Sequence, residues 1–261
     1  MPLWQTRDRN RVRGNIYCYR ELSFSKLLAV TTQKDYAEQA ETTLSSIVFP
    51  EDNQETENTI VYGPALSGKS TLAMEAVASA VTPAQSPIFV TTSDTAEQFR
   101  DRLDPLLPAG TPAAETLLVD ASDVTQAEGV ADGWTLSIGS PADLTGLGIA
   151  LSKGFDRLDE MGFDGGHILV DNLTTLLVYT DFDRVFRFVD DLNHRAVESG
   201  RTVVYILDDD AVGEQNRSKL LQLFSRAVEV TTDDEATQFR RRGETNTDWY
   251  EYDQANGGEE Q

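Results

Sequence analysis

The chain has 261 residues, which suits one large α/β domain or two small ones. Its 44 acids against 22 bases give a net charge of -22, and such acidity repels phosphate backbones and anionic membranes, so a general nucleic-acid or membrane binder is disfavoured. The lone cysteine, Cys18, excludes an internal disulfide, no Cys/His cluster has zinc spacing, and apolar runs stay short of the ~18 residues of a membrane span, which points to a cytoplasmic protein.

Lysine is scarce, with only Lys26, Lys34, Lys69, Lys153 and Lys219. Acid excess with few lysines is similar to the proteins of salt-loving archaea, where molar salt shrinks the Debye length to about 3 Å and the excess charges repel only weakly. An acidic protein of an ordinary cell is the alternative.

The chain begins with a basic arm, Arg7, Arg9, Arg11, Arg13, Arg20 and Lys26 against Asp8 and Glu21. Loose order, docking on the acidic body, contact with nucleic acid and an over-extended gene start all fit it. Tyr36, Ala40, Leu44 and Ile47 recur at helical spacing over 35–48, and a polar loop follows from Pro50. Strands and helices then alternate: strand 59–62, helix 69–80, strand 88–92, helix 95–103 capped by Ser93 or Asp94, and strands 116–120 and 134–138. Helix 144–161, strand 167–171, helix 181–199, strand 202–207 and helix 214–224 complete the series. This succession predicts a mostly parallel sheet with helices on both faces. Residues 227–231, 237–242 and 248–252 read as short antiparallel strands before a polar tail. The expected layout is an arm and helix over 1–54, a core over 55–232 and a β extension with an acidic tail over 233–261.

Gly63-Pro64-Ala65-Leu66-Ser67-Gly68-Lys69-Ser70, followed by Thr71, satisfies G-x-x-x-x-G-K-[ST] between a strand and a helix. In such a loop, glycines let successive amides curl around a phosphate at a helix N-terminus. Lys69 would reach the β- and γ-phosphates of ATP, and the Ser70 hydroxyl would bind Mg²⁺. The second metal ligand should be an acid at the tip of a neighbouring buried strand. Asp171, after Ile168-Leu169-Val170, fits best by the order of elements, while Asp120 and Asp208 have the same form. His167 and His194 read as ordinary strand-edge and helix-surface residues.

With these pieces in order, residues 55–243 resemble the RecA superfamily, specifically the KaiC/GvpD/RAD55-like P-loop ATPases of archaea. The resemblance rests on the loop, Pro87-Ile88-Phe89-Val90-Thr91-Thr92-Ser93-Asp94, His167-Ile168-Leu169-Val170-Asp171-Asn172-Leu173, Gly200-Arg201-Thr202-Val203-Val204-Tyr205 and Phe239-Arg240-Arg241-Arg242-Gly243. It implies a RecA-like P-loop NTPase fold. In KaiC-like ATPases a glutamate pair ends the second strand, and one member activates the attacking water; here those positions are Ser93-Asp94. Asp94 is the candidate catalytic acid beside Lys69, one carbon short, and the alternative is a plain helix cap. The family's basic-x-Arg-Gly motif, which reaches a neighbouring subunit's nucleotide, falls on Arg240 and Arg242. They share one face of a strand, and pairing with Asp233, Asp234 and Glu235 across a hairpin is the alternative.

The expected activity is that of a regulatory or signalling ATPase with slow hydrolysis, able to form a homo-oligomer and to meet a protein partner. Two other readings fit the sequence. One is a nonhydrolytic nucleotide-sensing module; the other is a recombinase-like paralogue on single-stranded DNA, which would need more basic and aromatic surface than Trp4, Tyr17, Tyr19 and the arm provide.

Overall fold

The computed structural model describes Leu44, Val48, Phe49 and residues 58–252, apart from positions 83, 109, 112, 114, 115, 124–128, 131–133, 234, 235, 244 and 245. The basic arm, most of the expected helix at 35–48 and the acidic tail lie outside the described residues.

Among the described residues, ten strands form one sheet. In chain order they are β1 (Thr59–Gly63), β2 (Ile88–Thr91), β3 (Leu117–Asp120), β4 (Gly129–Val130), β5 (Thr135–Ser137), β6 (Gly166–Asp171), β7 (Arg201–Asp208), β8 (Arg226–Thr232), β9 (Thr237–Arg242) and β10 (Tyr250–Tyr252). Their spatial order is β10-β9-β8-β1-β7-β6-β2-β3-β5-β4. Strands from β8 across to β5 run parallel, and antiparallel pairs β8–β9, β9–β10 and β4–β5 close the two edges.

The α-helices within residues 58–252 are α1 (Lys69–Ser79), α2 (Ala96–Leu103), α3 (Leu144–Glu160), α4 (Leu173–Tyr179), α5 (Phe182–Glu198) and α6 (Glu214–Leu221). Strand side chains alternate between two cores, which is why the central strands are apolar without interruption. Ile60, Val90, Val119, Val170 and Tyr205 pack under α3, α4, α5 and α6 on one face. Val61, Phe89, Leu118, Leu169 and Val204 meet Leu72, Met74 and Val77 of α1 and Phe99 of α2 on the other.

Polar groups tie the layers where apolar packing ends. Arg201 is 1% exposed, pairs with Asp159 at 2.6 Å and lies over the Phe155 ring, joining α3 to the start of β7. Tyr252 donates to Glu75 at 2.5 Å, joining the antiparallel edge to α1, and burial raises its phenol pKa. Among the described residues, no helix is long and apolar enough to cross a membrane.

Three local readings change. The α2 cap is Thr95, which accepts from Gln98 N while the Gln98 side chain accepts from Thr95 N, so Ser93 and Asp94 are not the cap. Residues 173–179 form a helix of their own, capped by Asn172. The last helix ends at Leu221, three residues before the expected Phe224.

Candidate functional site

The carboxyl ends of β1, β2, β6 and β7 meet on one edge of the sheet, where open α/β sheets bind ligands. Register fixes the meeting: Gly63 lies opposite Asp208, and Thr91 lies between Asp120 and Asp171. At Gly63 a Cβ would fall 2.1 Å from Val230 O, so β1 can pass β8 here only as glycine. Gly68, at φ 81°, turns the loop into α1 in a left-handed conformation that glycine adopts without cost.

The β8–β9 hairpin holds this loop. Thr232 and Thr237 both donate to Ser67 O, at 3.2 and 3.3 Å. Ser67 Oγ is buried and has no hydrogen-bond partner among the described residues. Leu66 stands fully exposed at the tip.

Lys69 is 3% exposed, and its ammonium donates to Pro64 O at 2.7 Å and meets Asp208 Oδ1 at 2.5 Å. Asp210 accepts from Ala65 N at 3.3 Å. The Asp208-Asp209-Asp210 run therefore supplies carboxylates to a cation and an amide of the loop, while Asp209 pairs with Arg217 at 2.9 Å.

On the other side, Ser70 Oγ donates to Asp171 Oδ1 at 3.4 Å. Burial raises the Asp171 carboxyl above the usual range, the Arg102 guanidinium draws it back and the Asp94 charge raises it further. Arg102 binds both acids, Asp94 by a short ion pair and Asp171 at 3.4 Å. The Asp94 backbone is fixed by Thr91, whose hydroxyl donates to Asp94 O and accepts from Asp94 N.

Of the three acids with the same sequence form, only Asp171 faces Ser70. Asp208 turns to Lys69, and Asp120 accepts from Ala96 N and from Ser122, organising its own loop. Among the described residues no three His, Cys, Asp or Glu side chains form a metal-binding group. Ser70 and Asp171 fit a hard cation such as Mg²⁺, which keeps most of its ligands as water and phosphate oxygen.

His167 stacks on Phe49 with ring centroids 4.0 Å apart, far from any ligand role, and its buried Nδ1 has no partner among the described residues. His194 is an exposed helix residue 3.7 Å from Asp190. Arg240 and Arg242 do share a face, and both reach Glu229 on β8, at 2.6 and 3.4 Å, while Asp234 and Glu235 of the hairpin turn lie outside the described residues. Arg240 also lies over the Trp249 ring at 4.3 Å.

Sequence reasoning did not find Arg102 or Asp210. Arg102 lies eight residues after Asp94, in the last turn of α2, a spacing of about two helical turns that returns its side chain to the strand end.

Among curated proteins, none matches this sequence. The fold is shared with solved structures, of which two archaeal ones serve as examples. A KaiC-like protein from the hyperthermophilic archaeon Pyrococcus horikoshii OT3 aligns with TM-score 0.52 and 11% identity, over 78% of this chain and 88% of its own. An uncharacterized protein from Pyrococcus horikoshii, crystallised in complex with an unknown peptide, aligns with TM-score 0.53 and 8% identity, over 72% of this chain and 84% of its own. The architecture is thus RecA-like. A family model described as a family of unknown function, DUF7504, matches residues 56–230, from just before β1 into β8 and including Asp94, Asp120, Asp171, Asp208 and Asp210, and the chain belongs to that family.

Proposed function

We propose that the chain binds ATP with Mg²⁺ at Gly63–Thr71 and works in the cytoplasm as a slow regulatory or signalling ATPase of KaiC/RAD55-like type. The observation that carries this reading is the convergence of Lys69, Ser70 and Asp171 at the ends of β1 and β6. The loop amides and Lys69 would hold the phosphates, and Ser70 with Asp171 would hold the cation. Bound there, Mg²⁺ would neutralise the charge that develops between the β- and γ-phosphates.

Slow turnover follows from Asp94. Its carboxylate is engaged by Arg102 and one carbon shorter than glutamate, so it orients an attacking water poorly. The same contact favours a second reading, a sensor whose nucleotide state is read by a protein partner without hydrolysis.

Calorimetry with ATP and Mg²⁺ in high salt tests the site. Lys69→Ala should weaken binding at least about tenfold, since the triphosphate loses its buried cation. Equal affinity of wild type and variant would refute the site. Phosphate release at well under ~1 s⁻¹ supports the slow ATPase, and binding with no release supports the sensor.

A further inference from the structure

We propose that the cleft between α3 and α5 is a docking groove for an acidic amphipathic helix of a partner protein. The cleft has a volume of about 370 Å³ and shares no lining residue with the phosphate loop, Asp94 or Asp171. Its floor is apolar: Phe155 and Phe188 line it, and Ile149 stands 52% exposed at its rim.

Its wall is cationic. Arg184, Arg187 and Arg195 project from one stripe of α5, at i, i+3 and i+11, all three exposed, and they outnumber Asp191, the acid at i+7 that also lines the cleft. Arg195 donates to Ser152 Oγ at 3.2 Å across the cleft. Arg184 and Arg187 have no carboxylate within ion-pair distance among the described residues, whereas Arg102, Arg201, Arg217, Arg240 and Arg242 each do. In a chain of net charge -22 most acids repel an acidic partner, and the excess of arginines over acid in this cleft attracts one beside an apolar floor.

Length separates a helix from a compact anion. Eleven residues at ~1.5 Å rise spread the arginines over about 16 Å, three helical turns. A partner helix would set apolar residues at i, i+3, i+4 and i+7 on the floor and its carboxylates against the guanidinium forks. Among the chain's own segments, the acidic amphipathic stretch 35–48 ends at Leu44, Val48 and the adjoining Phe49, which pack in the core on the opposite face of the sheet from the groove. The tail from Asp253 to Gln261 has acids but no large apolar residue, and the arm before residue 27 is basic.

Fluorescence anisotropy of the full chain with a labelled Glu/Leu peptide of about 18 residues, apolar on one face, tests the proposal. The control is a peptide of equal composition with its face scrambled. The patterned peptide should bind at least about tenfold more tightly than the scrambled one, and Arg184→Glu/Arg187→Glu should weaken it by at least about tenfold. Ile149→Asp, an exposed position, gives a second variant should the double one fold poorly; a melting curve on each variant separates lost docking from lost fold. Equal binding of the two peptides, no binding, or wild-type affinity in folded variants overturns the proposal. A dimer in light scattering that Arg184→Glu/Arg187→Glu dissolves would assign the groove to a second copy and overturn it too.

Discussion

Lys69 Nζ lies 2.5 Å from Asp208 Oδ1, so the cation expected to meet phosphate is already balanced by a carboxylate of the adjoining strand. Gly63 and Asp208 are register partners, and Asp210 extends the same acidic run onto Ala65 N. An incoming triphosphate must displace these carboxylates or be screened from them by its cation. On the proposed reading, the intrachain acids would compete with ATP for the loop.

Asp208→Asn should therefore raise ATP affinity by about tenfold while lowering the melting stability without nucleotide by about 2 kcal/mol, because a buried ammonium loses its ion pair. Added ATP should recover that loss by mass action. Calorimetry and thermal melts on the same samples read both effects. An unchanged or weaker affinity would mean that Asp208 assists the ligand, by helping to hold its metal, and would end the competition argument.

A second prediction concerns Arg102, whose guanidinium bridges Asp94 and Asp171. Removing it frees Asp94 to accept a hydrogen bond from water. Arg102→Ala should raise phosphate release by about tenfold, less than the full effect of a positioned base because Asp94 is short. Asp94→Glu in the same background should raise it further. A turnover that falls in Arg102→Ala would give the guanidinium a role on the phosphates themselves.

The loop and Asp171 were legible in the sequence because each is a local pattern: a glycine spacing between strand and helix, and an acid ending a run buried on both faces. Arg102 and Asp210 were not, since their contacts depend on how α2 and the end of β7 approach other strands. Thr95 and Gln98 spell a capping box, but Ser93 and Asp94 offer the same cap chemistry one or two residues earlier. The two-residue β4 carries too little alternation to announce a strand, and α4 spans only two turns. Glu229 as the partner of Arg240 follows from β8–β9 register, which the hairpin's length alone leaves open.

A third prediction concerns pH. Burial pushes the His167 imidazole down to about 4, from an ordinary value near 6.5. The folded chain keeps His167 neutral at pH values where the unfolded chain is protonated, so the unfolded state binds more protons. Stability from this group is complete above about pH 6.5 and is lost as pH falls towards 4. His167→Phe, which keeps a ring against Phe49, should remove up to about 3 kcal/mol of that decline. Urea denaturation of both proteins at several pH values measures it; parallel curves would show that the imidazole takes up a proton in the folded state.

The last prediction couples nucleotide to assembly. Glu229 and the Trp249 ring hold Arg240 in place, whereas Arg242 is 42% exposed and only 3.4 Å from the same carboxylate, so Arg242 is the side chain free to reach outward. A guanidinium from one subunit can complement the γ-phosphate of the next, which makes the nucleotide part of the interface. A ligand held better by the oligomer shifts the equilibrium towards it by its differential affinity. Light scattering in high salt should then show a larger mass with ATP and Mg²⁺ for wild type and no change for Arg242→Ala. Arg240→Ala should weaken the effect less directly, by loosening the strand that presents Arg242. A monomer with and without nucleotide, in wild type and variant alike, would leave both arginines as intrachain partners of Glu229 and favour the nonhydrolytic sensor over an assembling ATPase.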